Sequence, residues 1–272
     1  MSSVQHTRDR SARASLRRRA ALLATVAACL TLAVAGTFRL AVGAAAAARW
    51  LGLAGVVLAA EGLLVGRRLD ANRRRDGDAL LPRFGLGTDL TLCRGVLLSW
   101  LAGFLLLDWT GGALRWVPAL LYGAAVVLDY ADGTVARRAG RETVLGARLD
   151  TSFDALGLLV APSVAVVAGA LPVPYLSVSA ARYLFVAGIR LRERRGLPVY
   201  DLPPRRSRRA LAGLQMAFVA AALSPALAGA PATAGAALFG GAFLLGFVRD
   251  WFLVTGRLGP TERTDRDRQP AG

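Results

Sequence analysis

The chain alternates between apolar stretches and short polar or arginine-rich connections, and this pattern leaves few folds open to it. The stretches run roughly 20–38, 42–65, 90–107, 113–136, 146–170, 173–190, 209–229 and 232–256. Several approach the ~20 residues that cross a bilayer as helix. Hydrophobic residues make up 54% of the sequence, more than a water-soluble domain of ordinary composition carries. Lipid offers no partner to open backbone groups, so spanning segments must be helical. The expected fold is an all-α polytopic membrane protein.

The connections test the count. Arginines fill 1–19, 66–83, 137–148, 190–209 and 257–268, whereas 39–41, 108–112, 171–172 and 230–231 hold only Arg39 and Asp108. Eight spans with both termini cytoplasmic satisfy the positive-inside rule at every loop. Segment 1–19 reads as a disordered, basic cytoplasmic arm. Two transmembrane helices follow over 20–65, then a basic linker over 66–86, a six-helix core over 87–256 and a cytoplasmic tail over 257–272. The first stretch has a rival reading. Arg17 to Arg19, an apolar run and Ala33-Val34-Ala35 imitate a cleavable signal peptide. A retained anchor is preferred, because the chain that follows is itself multi-spanning.

Composition excludes several chemistries. All 34 basic residues are arginine, which removes Schiff-base lysines and the P-loop lysine. The single histidine, His6, lies in the basic arm, so neither a Ser-His-Asp triad nor a histidine-rich metal site can form. Cys29 and Cys93 sit in separate apolar stretches and build no disulfide framework or zinc motif. A net charge of +16 would suggest nucleic acid in a soluble protein. Here the arginines flank apolar stretches, the pattern of membrane topology, so no nucleic-acid partner is expected. Carboxylates, arginines and hydroxyls remain for chemistry.

The carboxylates cluster in residues 129–154, DYADGTVARRAGRETVLGARLDTSFD. Asp129 and Asp132 are three apart, and Asp150 and Asp154 four apart; either spacing puts two side chains on one helix face. A short polar segment joins the two helices, which predicts an antiparallel pair. Folded about its midpoint near 141–142, the hairpin brings the four acids to two matching depths, one to two turns inside the cytoplasmic end at ~1.5 Å per residue. Four carboxylates there must be protonated or neutralised by cations. Oxygen-only ligands suit Mg²⁺, Mn²⁺ or Ca²⁺, and two divalent ions balance four negative charges. Gly133 and Gly146 fit close approach of a ligand, or plain helix packing.

This pattern resembles the signature of the CDP-alcohol phosphatidyltransferases, D-x-x-D-G-x-x-A-R, eight residues, then G-x-x-x-D-x-x-x-D. It stands here as Asp129, Asp132, Gly133, Ala136, Arg137, Gly146, Asp150 and Asp154, with every fixed position met. An upstream N-x-x-T-x-x-R pattern is echoed by Thr88, Thr91 and Arg94, with threonine in place of asparagine, which makes Thr91 and Arg94 neighbours of the site. The resemblance implies that Asp129, Asp132 and Asp150 hold two divalent cations, Mg²⁺ or Mn²⁺. It implies that Asp154 is the general base and also touches the second metal. Gly133 and Gly146 would admit the cytidine, and Arg137 would bind the diphosphate. The implied reaction moves a phosphatidyl or other phospho-alcohol group from a CDP-linked donor, CDP-diacylglycerol by preference, to an alcohol acceptor with release of CMP. A homodimer in the cell membrane, with its active site cytoplasmic, is also implied.

Three features stay open. Arg182, inside a span, faces the aspartates, binds a phosphate, or makes a structural ion pair. The eight arginines of 190–209 serve topology and anionic lipid, with Arg205, Arg208 and Arg209 the better candidates for an anion pocket. Arg249-Asp250 reads as a local pair. Two other functions compete. A UbiA-like prenyltransferase would place its aspartates on distant helices, and an ion or proton carrier would spread them through the membrane. This chain concentrates them in one hairpin.

Overall fold

In the computed structural model, residues 3–109, 111–139, 143–202 and 206–258 are described, with side chains for 9–109, 111–131, 143–202 and 207–258. Among them the structure is helical, with eight α-helices: α1 Ser3–Val42, α2 Ala44–Arg68, α3 Leu86–Gly103, α4 Val117–Ala139, α5 Val144–Val167, α6 Leu176–Arg194, α7 Arg206–Ala222 and α8 Ala230–Val254. The protein is an all-α, multi-pass membrane protein. Six helices (α1 to α5 and α8) are long and apolar enough to cross a membrane. The two shortfalls have local causes. Helix α6 carries Arg182, Arg190, Arg192, Glu193 and Arg194 within 19 residues. Helix α7 begins on arginines and ends after 17 residues, just before Ser224-Pro225, so the expected span 209–229 is cut short.

Helix α3 is the centre. It packs on α4, α5 and α2 more extensively than any other helix packs on its neighbours. Helices α1 and α2 form a hairpin with a one-residue break at Gly43, whose φ of 87° suits only glycine at this reversal. Beyond the break Trp50 is fully buried. Its indole Nε1 donates to Trp100 O at 3.0 Å. Phe38 meets it edge-on at 4.8 Å. A Cβ on Gly103 would collide with the same ring, so that glycine lets Trp50 lie across α3. Trp100 in turn donates to Thr31 Oγ1 of α1 at 2.9 Å. Two tryptophans thus lock α1, α2 and α3 together at one end.

The opposite, arginine-rich end departs from expectation. Segment 1–19 is not a disordered arm: its described residues form the first turns of α1. Ala12, Leu16, Ala20 and Leu23 recur every three or four residues, an apolar stripe among the arginines. Leu16 is fully buried against Val65, Leu69, Leu145 and Leu149. Arg13 pairs with Asp70 at 2.8 Å and Arg19 with Asp89 at 2.7 Å. The linker is folded as well. Buried Asn72 donates to Leu81 O (3.1 Å) and Arg83 O (2.9 Å), closing the segment on itself. Val144 N donates to Arg73 O at 2.9 Å, which ties the linker to the start of α5.

Helix α6 is fastened to α5 along one stripe. Pro162 lacks an N–H, so Leu158 O has no donor within its own helix. Buried Ser179 supplies one at 2.6 Å. One turn on, Tyr183 Oη donates to Ala155 O at 2.8 Å, and Arg182 donates to Thr151 O at 3.1 Å. Leu16→Ala should cost about 2–5 kcal/mol, the range for a buried leucine. The check is the unfolding midpoint in detergent, with limited proteolysis of α1. An unchanged midpoint and unchanged cleavage would mean that α1 does not dock there.

Candidate active site

Three of the four aspartates converge. Asp129 comes from α4, and Asp150 and Asp154 from one face of α5, each partly exposed. One carboxylate oxygen from each lies within 4.8 Å of the others. Asp132 shares α4 with Asp129, but its side chain lies outside those described. So do the surroundings of Gly133, the side chain of Arg137 and all of Arg205.

What gathers the acids is Arg94 of α3, whose side chain is 4% exposed while theirs are 31–41% exposed. Its Nη1 contacts the Asp129 carboxylate. Nη2 lies 3.0 Å from Asp154 Oδ1 and 3.1 Å from Asp150 Oδ1, and donates to Asp150 O at 3.1 Å. The guanidinium therefore underlies the cluster, with the carboxylates toward the opening. A planar fork of donors suits this task, and a lysine would reach fewer partners. Three carboxylates and one guanidinium leave a net charge of −2, which one divalent cation cancels. Asp150 Oδ1 is buried and has no aligned hydrogen-bond donor among the described residues. Three hard oxygen donors at this spacing fit such a cation after small side-chain rotations.

The local sequence sets this arrangement. Thr143 caps α5, its Oγ1 accepting from Gly146 N at 2.9 Å. That fixes where α5 starts, and hence which way Asp150 and Asp154 point. A Cβ on Gly146 would stand 2.9 Å from Thr88 Oγ1 and 3.1 Å from Thr143 Oγ1. The space at this glycine is filled by two threonine hydroxyls, so packing of α3 on α5 accounts for it. Thr91 is buried one turn before Arg94 and donates back to Gly87 O at 2.9 Å. A narrow cleft beside the acids is lined by Leu98, Tyr122, Val126, Phe153 and Met216.

The remaining arginines are accounted for differently. Arg182 donates to the backbone of Thr151, between the two α5 aspartates in sequence, and pairs with no carboxylate among the described residues. Arg208 forms a two-point pair with Asp250 of α8, at 2.7 and 2.9 Å. Asp250 is therefore joined across α7 and α8, not to its neighbour Arg249 as the sequence suggested. Arg209 is exposed on α7. Two residues near the site escaped the sequence reading. Tyr122 lies seven residues before Asp129, on the same helix face. Glu61 is an acid inside an apolar run, which is itself a signal.

A profile described as CDP-alcohol phosphatidyltransferase matches residues 86–252, more than half of the chain. The chain belongs to the CDP-alcohol phosphatidyltransferase family. The match begins at the start of α3 and ends in the last turns of α8, so α1 and α2 precede it. Comparison with curated proteins and with solved structures gives no match. The family is a phosphotransferase family that uses divalent metal ions, in keeping with the acid cluster at the centre of this bundle.

Removing Arg94 should leave three acids without their counter-charge. Arg94→Ala is expected to destabilise the protein by about 3 kcal/mol in chelator, the lower end for a broken buried pair because the acids are partly solvated. Added Mg²⁺ should restore much of the loss. Thermal midpoints with and without metal measure both effects.

Proposed function

We propose that the protein transfers a phosphatidyl or related phospho-alcohol group from a CDP-linked donor to an alcohol acceptor, releasing CMP, in phospholipid synthesis. The favoured donor is CDP-diacylglycerol. The observation that carries this reading is the meeting of Asp129, Asp150 and Asp154 around Arg94 inside a membrane bundle of this family. The catalytic unit is 87–256, with both termini and the active site facing the cytoplasm, a reading that the arginine distribution supports.

The roles are those that the family resemblance implies. Asp129, Asp132 and Asp150 would hold two divalent cations, Mg²⁺ or Mn²⁺, with Asp154 beside the second. Bound there, the cations supply charge neutralisation for the donor's diphosphate. The acceptor oxygen bonds to the phosphorus that bears the alcohol group, and the anhydride bond to CMP breaks. Asp154 takes the proton from the acceptor hydroxyl. Arg94 holds Asp154 and Asp150 in register from beneath, so the base and a metal ligand share one support. Arg137 and Gly133 would serve the nucleotide and diphosphate, whereas the room at Gly146 is taken by Thr88 and Thr143.

The test uses purified protein in liposomes with CDP-diacylglycerol and Mg²⁺ or Mn²⁺. CMP release is followed across glycerol phosphate, inositol phosphate, serine and choline-type acceptors. At least one should support turnover; none doing so with either metal would overturn the proposal. Asp154→Asn should lower the rate about 10²–10⁴-fold, the range for a lost general base. It should spare Mn²⁺ affinity more than Asp150→Asn does. Full activity in both variants would reject these assignments.

A further inference from the structure

The arginines at the end of the bundle where α2 meets the linker are not spread evenly. Topology asks only that they lie at the right end, and exposed Arg17, Arg18 and Arg74 meet that need. Four others converge. Arg67 and Arg68 end α2, Arg73 follows in the linker, and Arg148 stands at the start of the second turn of α5. Together they line a recess of about 350 Å³. That volume falls within the usual range of small-molecule sites, about 300–1,000 Å³. The one acid among the lining residues is Asp70, which Arg13 already holds at 2.8 Å.

Two of the four guanidinium groups are held in place. Arg68 Nη1 donates to Ser152 Oγ at 3.1 Å and to Arg148 O at 3.4 Å. Arg73 Nε donates to Asp70 O at 2.9 Å, and Arg73 O accepts from Val144 N at 2.9 Å. Each guanidinium keeps further N–H donors. Arg67 and Arg148 make no ion pair and no side-chain hydrogen bond among the described residues. Gathering like charges in one recess raises their energy, and an anion between them offsets that cost. The recess is separate from the aspartate site. Arg148 and Ser152 share one face of α5, and Asp150 and Asp154 share another, because residues two apart on a helix point away from each other.

We infer that this recess binds a phosphate group, held by Arg67, Arg68, Arg73 and Arg148. Phosphate oxygens accept the forked donors of guanidinium groups in pairs. Helix α2 is apolar enough to span the membrane up to this point, so the recess lies at the bilayer surface. There the headgroup of an anionic phospholipid and a free phosphate both have access. Three of the arginines precede the family match and the fourth lies within it. The site therefore joins the leading helices to α5, and Arg68 carries that link to Ser152, between the two α5 aspartates in sequence.

The experiment titrates full-length protein in a neutral detergent with phosphatidic acid and, separately, with inorganic phosphate. Native mass spectrometry counts bound lipid, and the thermal midpoint reports bound phosphate. At least one probe should saturate at a single site per chain. Saturation by the lipid identifies a headgroup as the occupant, and saturation by phosphate alone identifies a soluble phosphate. Arg67→Gln combined with Arg148→Gln should weaken binding about thirtyfold, from about fivefold per arginine near a membrane surface. The unfolding midpoint without ligand should hold in this variant, since neither side chain has a partner to lose. Arg148→Gln alone, a single exposed substitution, should weaken binding about fivefold. Arg17→Gln combined with Arg18→Gln removes the same charge from the same end and should leave binding unchanged. Equal losses in the two double variants, wild-type affinity in Arg148→Gln, or no saturation by either probe would overturn the inference. No turnover is measured, so these outcomes leave the proposed transfer reaction to its own test.

Discussion

Arg94 is the interaction on which the bundle depends. A guanidinium buried in a membrane helix is costly unless it is paired. Here it reaches α4 through Asp129 and α5 through Asp150 and Asp154. Three helices are therefore bound to one side chain. Such a cluster adds little stability beyond what apolar residues of similar volume would give, but it fixes register, because moving any one helix breaks an ion pair. The same constraint builds the site. Acids meant for cations must be held together without cations, and a buried cationic fork beneath them does so while the carboxylates remain partly exposed.

Legibility in the sequence followed the range of the interactions. Asp129, Asp150 and Asp154 lie within one hairpin, and helix periodicity alone put them on the right faces. Arg94 was only a neighbour by motif spacing. Its central place depends on α3 meeting both α4 and α5, and no periodicity encodes that. The helical start of α1 was misread because its arginines outweighed the stripe of Ala12, Leu16, Ala20 and Leu23. Burial of Leu16 by Val65 and Leu69 of the α2 end and by Leu145 and Leu149 of α5, all remote in sequence, decides that segment. Likewise Asp250 looked satisfied by adjacent Arg249, yet successive residues on a helix point apart, and Arg208 on the facing helix has the geometry.

Helix α6 shows how a polar helix is retained in such a bundle. Its stripe of Ser179, Arg182 and Tyr183 donates to carbonyls of α5, one of them released by Pro162. The proline that would weaken α5 creates an acceptor, and the serine opposite uses it. Arg182 is thus explained by backbone chemistry, which no count of charged partners would have revealed. Because these bonds land on residues 151, 155 and 158, α6 braces the segment of α5 that carries Asp150 and Asp154.

Two acidic features therefore lie side by side in the membrane, and they are resolved differently. The aspartates have an internal counter-charge and open toward a cleft, as suits ligands that come and go with charge. Glu61 has Ser99 on one oxygen and no hydrogen-bond partner among the described residues on the other, which is itself buried. Phe153 and Gly95 separate the two by a single layer of side chains. Through Glu61, which accepts from Ser99 and lies against Gly95, α2 is joined to α3, so a helix outside the family match bears on the helix that carries Arg94.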